Sequence, residues 1–290
     1  MKEIIITHMG SPQNEEEVKE FLFNIFNDRN LIHFPFQSFV ARLISSMRKK
    51  ESLYRYKKIG DNPCLRYTLE LSEKLSSIFK KEGYIVKAKF THLRPYIYED
   101  FNKDSLIFPL YPQYSDFLLG IIKGKIVGAR ILKEWYYEEE FLSLMESSIK
   151  SSLEGLRPEN TALLFLAHGI PESFIINGDE YEKQIISTYE SLKSRFPDYK
   201  SKLAYIGKVG PSKWLKPYAD EIIDEFKKTE NIVSTYLSFP IDNLEVLYDI
   251  DIEYKNKLIE SGVKRFIRAE LLNSKDDFSK ALYKIIKRRL

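Results

Sequence analysis

The chain has 290 residues, of which 43% are hydrophobic and 30% are charged, and its formal net charge is +3. This length suits one large or two medium domains, and the composition is ordinary for a soluble globular protein. So small a net charge gives no support to a nucleic-acid partner. The 19 Tyr and 19 Phe favour a flat, apolar ligand without identifying one.

Cys64 is the one cysteine, which excludes an intrachain disulfide and a Cys-ligated iron–sulfur cluster and fits a reducing compartment. The first residues run directly into a predicted strand and lack the layout of a signal peptide. No apolar run approaches the roughly 20 residues that cross a bilayer. We therefore expect a soluble, cytoplasmic protein.

Predicted strands and helices alternate along the chain, which favours parallel sheets flanked by helices. The predicted strands are 3–8, 84–90, 106–110, 162–167, 203–207, 232–239 and 265–271. The predicted helices are 15–26, 64–82, one opening after Pro95, 135–153, 180–195, 215–228, 243–261 and 276–289, and 120–134 is expected to be a crossover. We expect two similar α/β domains, 1–132 and 133–290, each with about four strands. Whether helix 276–289 packs back on the first domain is left open.

The segment 30–44 is unusually apolar around Pro35. One interpretation is a core helix with its entry loop. The other is an apolar lip beside a pocket or on a membrane surface. The residues concerned are Leu31, Ile32, Phe34, Phe36, Phe39, Val40 and Leu43.

One buried strand ends in a histidine. The run 163–167 is apolar throughout, as in a strand covered on both faces, and His168, Gly169 and Pro171 follow it. Ligands of open α/β sheets bind at the carboxyl ends of the strands. His168 is therefore a candidate site residue, although a histidine in such a position more often has a structural role. His8 and His33 have no interpretation beyond a strand end and a loop.

A later strand leads into a row of carboxylates. Glu245, Asp249 and Glu253 are spaced by four residues, which places them along one face of the predicted helix 243–261. Like charges at this spacing repel each other, so the row needs a reason. It is either a solvent-exposed helix start, with Asp242 and Glu245 as a capping box, or a path for a cation.

Other classes of site lack positive support. The phosphate-binding patterns G-x-G-x-x-G after a strand and G-x-x-x-x-G-K-[ST] do not occur, nor do H-E-x-x-H, C-x-x-C or the nucleophile pattern G-x-S-x-G. If His168 and Glu245 lie at neighbouring strand ends, they form a pair too small to hold a metal permanently. Such a pair suits the transfer of a metal or the acceptance of protons, because the carboxylate orients the ring and stabilises the imidazolium.

Several segments, in order along the chain, together resemble the ferrochelatase family. They are 9–12 (MGSP), 48–63, 110–115 (LYPQYS), A-H-G-x-P…G-D-x-Y at 167–181, 210–217 (GPSKWLKP), 242–245 (DNLE) and 251–254 (DIEY). The resemblance extends over nearly the whole chain. It implies two Rossmann-like domains that face each other across a porphyrin cleft.

The resemblance also implies a reaction: insertion of Fe²⁺ into a porphyrin, protoporphyrin IX or coproporphyrin III, to give heme and two protons. Iron is then a substrate, and no permanently bound cofactor is implied. A monomer is favoured, and peripheral membrane contact is left open. Two rival hypotheses remain, namely a chelatase for another metal or tetrapyrrole and a non-catalytic porphyrin carrier.

Individual residues match the family's functional positions. His168 matches the residue that takes pyrrole protons or ligates iron, and Glu245 matches its carboxylate partner. Asp249 and Glu253 match an acidic row that leads metal or protons away, so the four together are the expected metal ligands. The expected porphyrin contacts are Met9, Arg48, Tyr56, Tyr111, Ser115 and Trp214.

The chain departs from the family's pattern in three places. Asn243 stands where a histidine is usual, and Thr91–His92 stands where an Arg–Tyr pair is common. The segment 60–63 shortens a G-G-G-S-P run. These departures leave the pair of His168 and Glu245 intact, but they bear on metal choice and on recognition of the porphyrin's side chains.

Overall fold

Two four-stranded parallel sheets organise the chain in the computed structural model, which describes residues 2–126, 128 and 130–290. They belong to two compact units, one comprising the chain up to Glu134 together with Asn273–Leu290, the other Trp135–Leu272. The expected architecture, an α/β protein with two halves of about four parallel strands each, is confirmed.

The first unit has the strand order β2-β1-β3-β4. Its strands are β1 (Lys2–His8), β2 (Tyr84–Phe90), β3 (Leu106–Pro109) and β4 (Arg130–Ile131). Its helices begin with α1 (Glu15–Asn27), α2 (Gln37–Ile59), α3 (Cys64–Phe79), the 3₁₀ turn Lys80–Glu82 and α4 (Asp116–Lys125).

The second unit has the order β6-β5-β7-β8. Its strands are β5 (Thr161–His168), β6 (Lys200–Ile206), β7 (Asn231–Tyr236) and β8 (Arg265–Arg268). Its helices are α5 (Glu139–Ser152), α6 (Glu172–Ile176), α7 (Tyr181–Lys193), a π-helix (Glu245–Tyr254) and α8 (Lys255–Glu260), with 3₁₀ turns at Pro158–Asn160 and Ala219–Phe226.

The C-terminal helix, α9 (Asp276–Lys287), belongs to the first unit and packs on α3. Lys74 on α3 donates to the carbonyl of Ser274 and to the carboxylate of Asp276, both at 2.6 Å. The chain therefore returns to its first unit after completing the second.

Both units share one strand order, in which the first strand of the unit lies between the second and the third. In such sheets the order reverses beside the first strand, and a crevice opens at the carboxyl ends of the strands there. The central strands are buried on both faces: Ile4, Ile5 and Ile6 on β1 are fully buried, as are 164–167 on β5. Full burial of an Ile, Leu or Phe side chain contributes about 1.5–3 kcal/mol to the free energy of folding, so these strands are firmly anchored in the core.

One predicted helix is wrong and a second is partly right. After Pro95 the described chain folds back along β2, where Ile97 N donates to Phe90 O at 2.8 Å, and it continues in turns instead of a helix. The segment predicted as helix 215–228 contains the eight-residue 3₁₀ helix Ala219–Phe226. Its first part is tied to β6 instead, because Tyr205 N donates to Pro217 O at 2.9 Å.

Two further segments have a different secondary structure from the one predicted. The expected crossover at 120–134 holds the end of α4 and the short strand β4. The predicted helix 243–261 is a π-helix followed by α8. A π-helix closes i→i+5 hydrogen bonds and is rare, occurring often at functional sites.

The apolar segment around Pro35 is only partly buried. Leu31 is buried, whereas Phe36 is 86%, Phe39 72% and Leu43 55% exposed at the start of α2. The core-helix interpretation is therefore wrong for these three side chains. Within the described residues, no helix has the length and apolar character to cross a membrane.

Candidate active site

His168 ends β5, and its backbone is held from several directions. Its N–H donates to Ser238 Oγ at 2.7 Å, and its carbonyl accepts from Tyr181 Oη at 2.8 Å. The next residue, Gly169, donates its N–H to Ile206 O on the neighbouring strand at 2.7 Å. The backbone that carries the imidazole is thus held by the end of the sheet and by the segments that follow the strands.

The imidazole of His168 meets the carboxylate of Glu245. Nδ1 lies 2.7 Å from Oε2, and the two side chains are 24% and 17% exposed. A carboxylate accepts hydrogen bonds, so Nδ1 carries the proton, and in the neutral ring the acceptor lone pair is on Nε2. The structure therefore brings together the two residues expected to form the catalytic pair.

The electrostatics of the pair favour its charged form. Burial alone lowers the pKa of His168, but the charge and hydrogen bond of Glu245 and the charge of Asp249 outweigh it and leave the pKa raised. Burial raises the pKa of Glu245, but His168 and a hydrogen bond from Tyr236 outweigh it and leave that pKa lowered. A proton accepted by the imidazole is consequently stabilised by an ionised partner.

The acidic row runs from the buried pair toward solvent. Glu245 is the first residue of the π-helix, Asp249 is half-buried and Glu253 is exposed. Among the described residues, no group of three or more His, Cys, Asp or Glu side chains could hold a metal ion. The four expected metal ligands thus form a pair and an outward row, not a closed coordination shell.

Three residues of the site were not singled out from the sequence. Tyr236, the last residue of β7, donates its hydroxyl to Oε1 of Glu245, and Ser238 holds the backbone of His168. Gly207 follows β6 with φ +86°, and a Cβ there would lie 2.5 Å from Nδ1 of His168 and closer still to Oε2 of Glu245. The sequence could have pointed to these three residues only through their positions, because all three lie at or just beyond the ends of strands adjoining β5.

Trp214 presents its ring edge to the imidazole. The ring centroids of Trp214 and His168 are 6.5 Å apart at 89°. A bridge between Pro171 and Trp214, with Leu215 N donating to Ile170 O at 3.1 Å, fixes this loop against the segment after β5. The indole is therefore held beside the pair.

In the first unit, Met9 and Tyr111 are brought together. Met9 follows β1 and Tyr111 follows β3, and the N–H of Met9 donates to Tyr111 Oη at 3.0 Å. Ser115 is buried and caps α4 by accepting from Phe117 N at 3.1 Å. These residues lie at the crevice edge of the first sheet.

Arg48 and Tyr56 lie on α2, about two turns apart. Arg48 is 37% exposed and lies 3.7 Å from Glu51. Burial raises the pKa of the Tyr56 phenol. The two side chains therefore differ in character: the guanidinium can reach solvent, whereas the phenol keeps its proton.

The departures from the family pattern have structural roles. Asn243 Oδ1 accepts from Val246 N at 3.2 Å, so the amide caps the start of the π-helix. His92 is buried, with Nδ1 2.8 Å from Thr91 Oγ1 and Nε2 3.1 Å from Asp28 Oδ2. Asn243 thus satisfies a backbone N–H of the helix, and His92 is satisfied by two side chains in the core.

Comparison with known proteins gives a consistent result. The family model described as Ferrochelatase matches residues 2–290. The ferrochelatase of a Nitratiruptor species is 33% identical over 314 residues, covering 99% of this chain and 100% of the relative. The ferrochelatase of Aquifex aeolicus is 29% identical over 307 residues, covering 99% and 98%.

A solved structure supports the fold alone. A multi-domain protein of Deinococcus radiodurans, described as structurally similar to chelatases, matches with a TM-score of 0.50 at 9% identity. The match covers 98% of this chain and 54% of that protein, so the chain spans about half of its length. The family model over residues 2–290 and the relative of 33% identity, covered over its whole length, show that the chain belongs to the ferrochelatase family.

Proposed function

We propose that the protein inserts ferrous iron into a porphyrin and that His168 and Glu245 remove the two pyrrole protons. Family membership makes it a metal-chelating lyase of heme biosynthesis. The identity of the metal, the route of the protons and the choice of porphyrin are the proposed parts. The observation that carries the proposal is the 2.7 Å contact between His168 and Glu245 at the end of β5.

Proton removal follows from the tautomer of His168. With Nδ1–H donating to Glu245, Nε2 of the neutral ring accepts a pyrrole proton, and the ionised carboxylate stabilises the imidazolium that forms. A positioned base of this kind contributes about 10²–10⁴-fold to a rate. Two protons must leave each porphyrin, so the imidazole accepts the first proton, releases it and then accepts the second.

The acidic row supplies an outward path. Carboxylates attract divalent cations and accept protons, and the row Glu245, Asp249, Glu253 grows more exposed along the π-helix. One imidazole and one carboxylate are too few to retain a metal, which suits a substrate ion that must pass into the macrocycle. Asp249 and Glu253 are therefore proposed to conduct cations or protons.

The porphyrin contacts are proposed for the remaining predicted residues. Met9 is half-buried, Trp214 is 5% exposed with its ring edge toward His168, and Tyr111 fixes the backbone of Met9. A surface that favours a bent macrocycle exposes a pyrrole lone pair, which is complementarity to the transition state. Arg48 carries a guanidinium suited to a porphyrin carboxylate, and Tyr56 and Ser115 complete the expected set.

Peripheral membrane contact is proposed through α2. Phe36, Phe39, Leu43 and Met47 are 86%, 72%, 55% and 72% exposed and recur every three or four residues. Such a stripe is typical of a helix that lies in a membrane interface. The exposed Lys50, which follows on the same helix, would favour anionic headgroups, whereas Lys49 is paired with Glu15 at 2.6 Å.

The test is anaerobic Fe²⁺ insertion into protoporphyrin IX and, separately, coproporphyrin III, followed by absorbance. We expect iron-dependent conversion of one porphyrin in preference to the other, with Co²⁺ and Zn²⁺ as competing metals. Tight porphyrin binding without any iron-dependent spectral change would contradict the proposal and identify a carrier instead. Preferred insertion of Co²⁺ would identify a chelatase for another metal.

A further inference from the structure

The carboxylate of Glu245 has a donor on each oxygen. Oε2 is bonded to Nδ1 of His168 at 2.7 Å, and Oε1 accepts from the hydroxyl of Tyr236. Tyr236 is 3% exposed and ends β7, where it pairs with Leu166 of β5 in the sheet register. Its hydroxyl is therefore aimed by the sheet, not by a loop.

The contacts of Tyr236 close a circuit around the pair. The N–H of His168 donates to Ser238 Oγ at 2.7 Å, and Ser238 is in turn a hydrogen-bond partner of the Tyr236 hydroxyl. Tyr236 donates to Glu245, and Glu245 also accepts from the His168 ring. The backbone and the ring of His168 are thus joined through the side chains of Ser238, Tyr236 and Glu245. The carboxylate of Glu245 accepts hydrogen bonds from both Tyr236 and the His168 ring.

The tyrosine acts only as a donor toward this carboxylate. Burial, together with the charge of Glu245, raises the pKa of Tyr236 well above its ordinary value of 10.0, so the phenol keeps its proton. A hydrogen bond to a buried carboxylate favours the ionised form. Because the charge on His168 changes during each proton transfer, a second fixed donor keeps the carboxylate from turning away when the imidazole is neutral.

We infer that Tyr236 is a positioning residue of this site, whose hydroxyl fixes the carboxylate of Glu245 in the orientation that meets His168. The inference rests on the proposed function for its catalytic meaning and adds a residue to it. Tyr236 acts through Glu245, whose second oxygen it occupies.

The experiment compares Tyr236→Phe with Tyr205→Phe in the full-length protein. Tyr205 is 1% exposed on the neighbouring strand β6, and its hydroxyl has no hydrogen-bond partner among the described residues, so its loss is a matched control. Proton and ¹⁵N magnetic resonance of the imidazole, at one pH, reports the hydrogen bond from Nδ1 of His168 to Glu245, and the His168 signal is identified by its absence in His168→Ala. Turnover and porphyrin affinity are measured on the same samples.

We expect the Nδ1–H signal of His168 to change in Tyr236→Phe, because the carboxylate that it meets has lost its second donor, and to stay unchanged in Tyr205→Phe. The kcat should fall about tenfold, the effect of one charge-assisted hydrogen bond, while the Kd for porphyrin stays constant. If Tyr236→Phe does not fold, Ser238→Ala removes a hydrogen-bond partner of the Tyr236 hydroxyl and should change the His168 signal in the same way.

An Nδ1–H signal of His168 in Tyr236→Phe that matches the Tyr205→Phe control would overturn the inference. This measurement needs neither iron nor porphyrin. An inactive wild-type protein would therefore overturn the proposed function while the inference about Tyr236 is still judged by the His168 signal. Normal wild-type turnover with an unchanged His168 signal in Tyr236→Phe would overturn the inference alone.

Discussion

Nδ1 of His168 lies 2.7 Å from Oε2 of Glu245, although the two residues are 77 positions apart in the chain. The contact follows from topology: β5 and β7 are neighbours in a parallel sheet, so the segments that leave their carboxyl ends meet at one edge. The pair therefore depends on the order of the strands rather than on local sequence.

Removing either partner should abolish chelation while the fold survives. In His168→Ala the proton acceptor is lost, and in Glu245→Gln the imidazolium loses its ionised partner, so we expect kcat to fall about 10²–10⁴-fold. Steady-state Fe²⁺ insertion and circular dichroism measure the two properties. His33→Ala is the control, because His33 is an exposed loop histidine. Turnover by His168→Ala close to that of the wild type would exclude His168 as the base.

The acidic limb of the pH profile should lie above the ordinary imidazole value. The neutral form of His168 accepts the proton, and its pKa is raised above 6.5 because Glu245 and Asp249 outweigh burial. Activity should therefore increase with pH through a point above 6.5. In Asp249→Asn the imidazolium loses a stabilising charge, so the limb should move to lower pH.

Glu253→Gln serves as the control for that shift, since Glu253 is exposed and is not among the charges that move the His168 pKa. Profiles of kcat/KM against pH for the three proteins decide the matter. A limb that moves equally in both variants would indicate a general surface-charge effect instead of an action of Asp249 on His168.

Gly207 should tolerate no side chain. In Gly207→Ala the new Cβ would lie 2.5 Å from Nδ1 of His168, so the imidazole and the carboxylate of Glu245 must shift away from it. Gly210→Ala is a matched control in the same loop, because φ is +74° there and nothing lies within 4 Å of the added carbon. Both variants carry backbone strain of about 1–2 kcal/mol.

We expect a larger loss of thermal stability in Gly207→Ala than in Gly210→Ala, because only the former adds a steric overlap to the backbone strain, and a kcat of its folded fraction at least about tenfold lower. Differential scanning fluorimetry and iron insertion assays give the two quantities. Equal activity in both would mean that the pair adapts to a Cβ at this position.

Much of the fold follows from the sequence because buried parallel strands are continuous apolar runs. Strand 84–90 matches β2 residue for residue, and the run before His168 predicts β5 to within one residue at each end. The chain offers a histidine at one strand end and a carboxylate after another, so their meeting could be expected. Their roles in catalysis stay predictions.

The rest depends on three-dimensional relations that no local pattern encodes. Tyr236 ends a buried strand and is indistinguishable there from a core aromatic, yet its hydroxyl reaches Glu245. The helix 243–261 has helical periodicity, but spacing by four does not separate an α-helix from the π-helix observed. Likewise, Phe36 and Phe39 have the apolar side chains that are typical of core residues, and only the tertiary packing shows that they are exposed.

Arg268 should be needed to hold the π-helix against the sheet. Its guanidinium, at the end of β8, lies 3.1 Å from Asp242 and 2.8 Å from Asp251, and its side chain is 13% exposed. Burial raises the pKa of Asp251 despite the arginine. In Arg268→Leu two carboxylates lose their partner, so we expect a loss of about 3 kcal/mol in the free energy of unfolding and reduced kcat.

Lys257→Leu is the control for Arg268, because Lys257 pairs with Asp220 at 2.9 Å on the exposed surface of the same unit. Its urea midpoint should change little, since surface ion pairs contribute little to stability. Arg268→Lys should recover only part of the stability, because an ammonium cannot reproduce the planar guanidinium contacts. Full stability in Arg268→Leu would show that the two carboxylates rearrange without it.

The exposed stripe on α2 should govern attachment to lipid. In the triple variant Phe36→Ser, Phe39→Ser and Met47→Ser the apolar face is removed, and each side chain is more than two-thirds exposed, so the fold should persist. We expect flotation with vesicles of anionic phospholipid to fall several-fold. Ile176→Ser is the control, because Ile176 is 82% exposed and belongs to α6, not to the stripe on α2. Equal flotation of the triple variant and the wild type would show that α2 does not contact the membrane.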